Sequence, residues 1–353
     1  MSEFNKITFR KSLIEWYKEE KRNLPWRETS DPYKIWVSEI MLQQTRVDTV
    51  IPYYNRFIEA FPTMEELANA DEEKLLKQWE GLGYYSRARN LQAGVREVVE
   101  TYNSVVPETR DEISTLKGVG PYTAGAILSI AYGRPEHAVD GNVMRVLSRV
   151  LLIKEDIAKP KTRKIFEQAV SEIIDAQDPS SFNQGLMELG AIICTPTSPK
   201  CLLCPVRENC SAFYAGEQND LPIKTKNKKT KALHYDVYVT QNDKKQFLME
   251  KRPEIGLLAN MYQFPMIEHA LNEMDTIPIL QDRYGISFSK EIDLGPFKHV
   301  FSHLTWEMNC FVGHAIEESL LDTCKWLTIE EIKKVPMPVP MLKIWQAYIE
   351  RGN

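Results

Sequence analysis

The chain contains no run of 18 or more apolar residues, so no segment is suited to spanning a bilayer as a helix. Residues 1–22, MSEFNKITFRKSLIEWYKEEKR, are charged and amphipathic, which is unlike a secretory signal peptide. Cysteine is also scarce, because six residues are too few for a disulfide scaffold in a chain of this size. We therefore expect a cytosolic protein that does not act at a membrane.

The apolar content of the chain is sufficient for more than one core. Its 353 residues are 43% hydrophobic and 26% charged, which is typical of a globular protein rather than a disordered one. A chain of this length exceeds one ordinary domain, and it contains no internal repeat. We therefore expect two domains.

The net charge of −5 is distributed unevenly along the chain. Residues 1–223 carry 27 basic and 32 acidic side chains, and residues 232–353 carry 12 and 17. Between them, residues 224–231 (KTKNKKTK) contain five lysines and no acid. A segment this basic could follow a phosphate backbone, although a solvated linker explains it equally well. Charge alone leaves both interpretations open.

The hydrophobic periodicity changes at this basic segment. Before it, apolar residues recur at helical spacings, as in FRKSLIEWYKE and IFEQAVSEIIDA. After it, LHYDVYVTQ, QFLMEKR and MNCFVGHAI read as strands, with a turn at Asn242–Asp243 and a short helix in TIEEIKKVPMP. The pattern predicts an all-α region over 1–223, a basic linker over 224–231 and a smaller α+β domain over 232–353.

The stretch LKGVGPYTAGA, residues 116–126, reads as a turn between two helices. Pro121 suits the first position of the second helix, because its missing N–H would have no partner there. Gly118 and Gly120 allow the backbone around Val119 to approach a partner closely. The N–H groups at such a helix start attract anions, and a phosphodiester fits there. A tight helix–helix connection without a ligand is the alternative.

The residues downstream make this turn part of a larger pattern. LKGVGPYTAGAILSIAYGRPEHAVDGNVMRVLSR resembles the helix-hairpin-helix, Gly/Pro-rich loop and aspartate of the endonuclease III superfamily. With NLPWR, VSEIMLQQTRVDTVIPYY, GLGYYSRARNL and a group of cysteines, the chain resembles the adenine DNA glycosylases of MutY type. The resemblance implies a multidomain protein: an all-α helix-hairpin-helix glycosylase domain with an iron–sulfur module, plus a C-terminal α+β Nudix-like domain. It implies a six-helix barrel at about 29–136, with the cluster module in 1–28 and 137–223.

Two carboxylates are candidates for the chemistry of base removal. Hydrolysis of an N-glycosidic bond needs protonation of the leaving base and an anion near the developing oxocarbenium ion. Glu39 lies in the apolar run WVSEIMLQQT, where burial would raise its pKa and keep it protonated. Asp140 precedes the helix NVMRVLSR. From the residues alone, Glu39 could equally be a solvated helix carboxylate and Asp140 a helix cap, a role that Asn142 could also fill.

The resemblance assigns roles to these residues. It implies that Glu39 is the general acid at adenine N7 and that Asp140 faces the sugar C1′, with Asn142 as its hydrogen-bond partner. Bifunctional relatives have a lysine immediately after the hairpin, whereas this chain has Tyr122. Without an amine there, the resemblance implies a monofunctional glycosylase in which Tyr122 assists the catalytic pair.

The resemblance also implies which residues hold the DNA. Flipping out the adenine costs unstacking energy, and side chains that fill the vacated space offset this cost. For the adenine pocket the resemblance implies Arg27 and Trp26. For the wedge and the lesion contact it implies Gln44, Thr45, Leu82 and Tyr84. For a DNA phosphate it implies Gly118, Val119 and Gly120. Without the family, Tyr84 and Tyr85 would be interpreted as core aromatic residues.

Four of the six cysteines form one group with the spacing C-x6-C-x2-C-x5-C: Cys194, Cys201, Cys204 and Cys210. Four thiolates this close in a cytosolic chain predict a metal site rather than disulfides. Tetrathiolate zinc and an iron–sulfur cluster are both chemically acceptable. The resemblance implies one [4Fe–4S] cluster.

The C-terminal domain resembles that of the adenine glycosylases, which is Nudix-like. The resemblance implies that Phe301, Ser302 and His303 recognise 8-oxoguanine, whereas the residues alone would make His303 a buried core histidine. The glutamate-rich metal helix of a working Nudix hydrolase is missing from MIEHALNEMDTIPILQDRYG, so we expect no pyrophosphatase activity.

The resemblance therefore implies a monomeric repair enzyme of the bacterial cytosol, associated with the nucleoid. Its expected substrate is double-stranded DNA containing adenine opposite 8-oxoguanine or guanine, and other repair proteins are possible partners. A bifunctional thymine-glycol-type glycosylase/lyase is the first alternative, and Tyr122 argues against it. A non-catalytic lesion-binding protein is the second, and the presence of both Glu39 and Asp140 argues against it.

Overall fold

The architecture is that of a computed structural model, which describes residues 4–225, 231–269, 276–315 and 321–351. Contacts divide the chain into a first unit, residues 1–69 and 89–226, and a second unit, residues 70–88 and 227–353. Most of the predicted basic linker, residues 226–230, lies outside the described residues. The domain boundaries predicted from the sequence stay a prediction.

The first unit is helical, as the periodicity predicts. Along the chain, the helices before the basic segment are α1 (Lys6–Glu20), α2 (Pro32–Leu42), α3 (Val47–Ala60), α4 (Met64–Asn69), α5 (Glu72–Trp79), α6 (Ser86–Thr101), α7 (Arg110–Ile113), α8 (Pro121–Ile130), α9 (Gly141–Val150), α10 (Thr162–Ile173), α11 (Pro179–Ile192) and α12 (Ser211–Ala215). Of these, α5 lies in the second unit and α6 begins there. In the described part of the chain, no helix has the length and apolarity that a membrane crossing requires.

Short polar side chains define where the helices begin. Asn5, Asp31, Asp140 and Asp178 precede α1, α2, α9 and α11, and each side chain accepts a hydrogen bond from a backbone N–H of the first turn. Such caps satisfy donors that have no partner within the helix. The starts of these four helices are therefore encoded locally, in residues that can be recognised in the sequence.

One core of the first unit joins the two ends of its sequence. Helices α1, α9, α10 and α11 bury a common set of side chains: Phe9, Leu13, Val143, Val146, Leu147, Phe166, Val170, Phe182, Leu186 and Leu189. Gly185 of α11 lets α1 approach, because an added Cβ would lie 3.2 Å from Leu13 Cγ. This packing fixes α9 and α11, which line the candidate site.

The hairpin between α7 and α8 has the predicted form. Pro121 is the first residue of α8, and Gly118 has φ +78°, a conformation that favours glycine. A Cβ on Gly118 would also lie 2.7 Å from Asn90 Cβ, so the turn packs tightly on α6. The glycine at this position is required by backbone conformation and by space.

The second unit contains a mixed sheet. From residue 231 onward, the elements of this unit are β1 (Lys231–Gln241), β2 (Phe247–Lys251), β3 (Tyr262–Gln263), β4 (Met266–His269), α13 (Ile277–Tyr284), β5 (Phe288–Val300), β6 (Leu304–Ala315), β7 (Cys324–Leu327), α14 (Ile329–Ile332) and α15 (Val339–Arg351). The strand order is β3-β2-β1-β6-β5, with β4 pairing with β1 and β7 with β2. Only β1 and β6 pair in parallel among the described strands. The three predicted strands, the turn at Asn242–Asp243 and the short helix α14 are confirmed.

Both faces of this sheet are covered. Val237 and Val239 of β1 join a core that includes Ile344 of α15, whereas Tyr238 between them joins a second core with Leu280 of α13. Side chains of a strand alternate between faces, so neighbouring residues serve different layers. The unit is therefore a sheet between helices.

A glycine contact in the first unit predicts a measurable loss of stability. Gly125 lies inside α8, and an added Cβ would be 1.8 Å from the carbonyl oxygen of His137. Because a backbone atom cannot move aside cheaply, Gly125→Ala should lower the free energy of unfolding by roughly 1–3 kcal/mol. Urea unfolding measures this. Gly141→Ala is the control, since nothing lies within 4 Å of its Cβ position; equal stability losses in both variants would contradict the packing argument.

Candidate active site

A cavity of about 680 Å³ opens in the first unit between α2, α8, α9 and α11. We call it the main cavity. Its lining includes Arg22, Trp26, Arg27, Glu39, Gln43, Gln44, Thr45, Gly118, Gly120, Tyr122, Asp140, Asn142, Arg163, Gln184, Met187 and Glu188. The structure thus gathers the predicted catalytic and adenine-pocket residues around one space large enough for a small ligand.

Glu39 is buried on α2, with 5% of its surface exposed. Burial raises the pKa of its carboxyl from 4.5 to about 7, because the charged form loses its water. A hydrogen bond from Tyr122 and the charge of Arg27 oppose this rise, and the nearby carboxylate of Asp140 adds to it. The burial inferred from the apolar run is therefore present, and Glu39 can hold a proton near neutral pH.

Tyr122, the second residue of α8, is the partner of Glu39. Its hydroxyl donates to Glu39 Oε2 at 2.5 Å and also lies 3.6 Å from Met187 Sδ. Burial and the two nearby carboxylates raise the pKa of the phenol well above its ordinary value. The phenol therefore stays protonated and acts as a donor to Glu39.

Asp140 caps α9, and its side chain also faces the main cavity. Its Oδ1 accepts from the Val143 N–H at 2.7 Å, and its Oδ2 accepts from Asn142 Nδ2 at 2.9 Å. Burial raises the pKa of the carboxyl, and these hydrogen bonds to the ionised form oppose the rise. Asp140 can therefore both cap α9 and face the cavity, because its two carboxylate oxygens have different partners.

Asn142 is itself held in place by α9 and α11. Its Oδ1 accepts from Arg145 Nη2 at 2.8 Å, and Arg145 also donates to the carbonyl oxygens of Gly190 and Cys194, both at 2.8 Å. A Cβ on Gly190 would lie 2.7 Å from Asn142 Cβ. Arg145 therefore links the Asp140 cap to the backbone of the first cysteine of the group.

Arg27 and Trp26 line the main cavity, but Arg27 does so as part of an ion cluster that the sequence reading missed. Glu188 of α11 accepts from Arg27 Nη2 at 2.9 Å and from Arg22 Nη2 at 2.7 Å. Burial alone would raise the pKa of Glu188, but the hydrogen bonds from Arg22 and Arg27 hold it at about 2. Glu188 lies in the apolar run LMELGAI, the same kind of signal that identified Glu39.

The predicted wedge residues are divided between the units. Gln44, with φ +57°, and Thr45 line the main cavity in the first unit. In the second unit, Leu82 is buried, whereas Tyr84 has φ +47° and is 46% exposed. The interpretation of Tyr84 as a core aromatic residue is therefore wrong, and its ring is available to a partner.

The hairpin amides are not all available to an anion. Gly118 and Gly120 line the main cavity, but the Val119 N–H donates to the carbonyl oxygen of Leu116 at 3.1 Å. The Val119 side chain is buried. Of the three predicted phosphate residues, the two glycines are the ones whose backbone faces the site.

The four grouped cysteines line a second, largely apolar cavity, which we call the cysteine cavity. Buried Gln218 Oε1 at its wall has no hydrogen-bond partner in the described part of the chain. Among the described residues, no three His, Cys, Asp or Glu side chains are placed to hold a single metal ion. Zinc needs its ligands about 2.3 Å from one point, whereas a four-iron cluster binds each thiolate at a separate iron. Four cysteines around one cavity fit a cluster.

Phe301, Ser302 and His303 form the hairpin tip between β5 and β6. Phe301 packs edge-on against Trp306 at 5.0 Å, while Ser302 and His303 are exposed and lie 3.3 Å apart through Oγ and Nδ1. The alternative of a buried core histidine is therefore wrong. The anchored phenylalanine leaves two polar side chains to solvent.

Comparisons with known proteins found family matches in both the helical part and the sheet-containing part of the chain. Residues 37–172 match the family described as HhH-GPD superfamily base excision DNA repair protein, and residues 236–347 match the NUDIX domain. The adenine DNA glycosylase of Schizosaccharomyces pombe is 35% identical to the chain, over 97% of the chain and 89% of its own length. That of Rattus norvegicus is 34% identical, over 97% of the chain and 78% of its own length. A trapped endonuclease III–DNA covalent intermediate superimposes with a TM-score of 0.51 and 26% identity, covering 61% of this chain and 99% of its own.

The raised pKa of Glu39 predicts how stability depends on pH. A carboxyl with a pKa of 4.5 when unfolded and about 7 when folded favours folding below pH 4.5, and this contribution is lost as the pH rises to about 7. Glu39→Gln removes the titration. We expect the stability of the variant relative to wild type to increase by roughly 3 kcal/mol between about pH 4 and pH 8, measured by urea unfolding.

Glu188→Gln is the matched control, because Glu188 is also buried but has a lowered pKa. Its ion pairs contribute stability above pH 4.5, which is lost only as the pH falls through about 2. This variant should therefore be less stable than wild type at both pH values. A Glu39→Gln effect that is the same at both pH values would contradict the pKa assigned to Glu39.

Proposed function

The chain belongs to the adenine DNA glycosylases, enzymes of base excision repair, and we propose that it hydrolyses the N-glycosidic bond of adenine opposite 8-oxoguanine or guanine. The observation that carries this proposal is the main cavity, where Glu39, which can hold a proton near neutral pH, and Asp140, whose carboxylate accepts two hydrogen bonds, face the same space. Its size suits a nucleotide flipped out of the duplex.

In the proposed mechanism, Glu39 gives its proton to adenine N7. A pKa of about 7 supplies protonated carboxyl at neutral pH, and Tyr122 holds the group in place by donating to Oε2. Protonation makes the base a better leaving group, and the bond between the base and C1′ breaks. Glu39, now ionised, then accepts a proton from the attacking water.

Asp140 would stabilise the oxocarbenium ion that remains. Hydrogen bonds from the Val143 N–H and from Asn142 favour the ionised carboxylate, which an electrostatic role requires. The position after the hairpin holds Tyr122 rather than an amine, so no Schiff base forms there. The proposed enzyme is therefore monofunctional and leaves an intact strand with an abasic site.

The remaining predicted residues would hold the DNA and the cofactor. Cys194, Cys201, Cys204 and Cys210 would bind one [4Fe–4S] cluster, which supplies a rigid, redox-capable group beside α9. Arg27 and Trp26 would contact the adenine, Gly118 and Gly120 a phosphate, and Gln44, Thr45, Leu82 and Tyr84 the duplex around the lesion. We expect a monomer acting on double-stranded DNA.

Recognition of 8-oxoguanine is proposed for the hairpin tip. Ser302 and His303 are exposed and offer hydrogen-bond donors and acceptors, and Phe301 anchors them on Trp306. We expect these two side chains to recognise the base edge that distinguishes 8-oxoguanine from guanine.

The acid assigned to Glu39 is tested by Glu39→Gln on a duplex with adenine opposite 8-oxoguanine. Loss of the proton donor should slow adenine release by roughly 10²–10⁴-fold in single-turnover assays and leave duplex affinity unchanged. Glu136→Gln is the control, because Glu136 pairs with Arg110 and is not part of the main cavity lining. Release at the wild-type rate in Glu39→Gln would refute the assignment, and strand breaks without alkali would refute monofunctional chemistry.

The lesion contact is tested by His303→Ala. Losing one hydrogen bond to 8-oxoguanine should reduce the preference for adenine opposite 8-oxoguanine over adenine opposite guanine about tenfold, or ~1.4 kcal/mol. Glycosylase rates on the two duplexes at limiting enzyme measure this preference. His314→Ala on β6 is the control, since His314 is bonded to Asp243 away from the hairpin tip. An unchanged preference in His303→Ala would exclude the contact.

A further inference from the structure

We propose that Arg149 is the counter-ion of the iron–sulfur cluster, balancing its negative charge from a buried position and donating a hydrogen bond to the sulfur of Cys194. This inference rests on the cluster proposed for the four cysteines. It concerns a residue that plays no part in the glycosylase chemistry.

The burial of Arg149 requires an explanation. The residue lies on α9 with 1% of its surface exposed, and it is among the largest fully buried side chains of the described chain. Transferring a charged guanidinium out of water is costly unless an opposite charge and hydrogen bonds compensate. Glu188 in the same unit shows the usual solution, because two arginines pair with its buried carboxylate.

Arg149 has hydrogen bonds but no carboxylate. In the described part of the chain its nitrogens donate to the carbonyl oxygens of Leu221, Thr195 and Pro196 at 2.9, 2.8 and 3.2 Å, and to Cys194 Sγ at 3.2 Å. None of these acceptors is an Asp or Glu oxygen. Carbonyl dipoles satisfy the N–H groups, but they leave the net charge unbalanced.

A cluster bound in the cysteine cavity would supply the missing negative charge. Arg149 lines it together with all four grouped cysteines, and its one sulfur acceptor belongs to the first of them. In a ligated cluster the four thiolates outweigh the positive charge of the iron–sulfide core, so the assembly is an anion. The negative charge of the cluster and the positive charge of the guanidinium therefore compensate each other in this apolar setting.

The expected effect on the cluster has a definite sign. A nearby positive charge and an N–H···S hydrogen bond both favour the more reduced, more negative form of a cluster. Removing them should lower the midpoint potential and make the cluster easier to oxidise. A residue that only ties the backbone of Thr195, Pro196 and Leu221 together would have no such electrostatic effect.

The test compares full-length Arg149→Met and Arg149→Lys with wild type. Lysine keeps the positive charge, whereas methionine keeps only the apolar stem. Arg207→Gln is the matched control, because Arg207 also lines the cysteine cavity, but its side chain is 37% exposed and pairs with Glu208. The readouts are iron per chain, midpoint potential by voltammetry, and bleaching of visible absorption by ferricyanide.

We expect Arg149→Met to shift the potential down by about 59 mV, the one-electron equivalent of a tenfold change, and to bleach faster. The potential and bleaching rate of Arg149→Lys should lie closer to those of wild type, and Arg207→Gln should have the wild-type values. An iron-loaded Arg149→Met with the wild-type potential and bleaching rate would overturn the proposal. If Arg149→Met lacks iron, iron retained by Arg149→Lys supports the role of charge, and loss in both variants overturns it. Wild type without iron would instead refute the cofactor.

Discussion

The chemistry proposed for this protein depends on keeping one carboxyl out of water. Glu39 lies in an apolar helix and is 5% exposed, and its desolvation raises its pKa to about 7. The other residues proposed for the chemistry lie around that group. Tyr122 donates to it, Asp140 acts on it through its charge, and the packing of α2 against α8 holds it in the main cavity. An exposed glutamate at the same place would be ionised at neutral pH and could not donate a proton.

Three acids of the main cavity show how the surroundings of a carboxyl set the direction of its pKa shift. Glu39 has one hydrogen-bond donor and a raised pKa. Asp140 has two donors that oppose the effect of burial, and Glu188 has two arginines that hold its pKa at about 2. Burial acts in the same direction on all three, so the number and charge of the donors decide the outcome. One cavity can therefore hold both a carboxyl that keeps a proton near neutral pH, Glu39, and a carboxylate that stays ionised, Glu188.

Local signals made much of this fold predictable. The caps at Asp31 and Asp140, Pro121 at the start of α8, and the strand alternation around Tyr238 are all encoded in neighbouring residues. The burial of Glu39 was also readable, because apolar residues surround it in the sequence. Contacts between distant residues were not readable: Arg22 and Glu188 meet across 166 positions, and the sequence does not show which acid a given arginine pairs with. The hydrogen bond from the Val119 N–H to the Leu116 carbonyl oxygen could not be predicted either, because it depends on the geometry of the turn.

Helix α9 connects the two sites of the first unit. Its N-terminal end carries the Asp140 cap and Asn142, its middle carries Arg145, and its last turn carries Arg149. Arg145 joins Asn142 to the Cys194 carbonyl, and Arg149 donates to the Cys194 sulfur, so the same cysteine is held at two atoms by one helix. A helix is stiff along its axis, and a shift of the cysteine segment would therefore move Asn142 and the carboxylate that it holds. The cysteine group thus belongs to the scaffold that holds Asp140, and Cys194, Cys204, Val206 and Cys210 pack in the same core as α9.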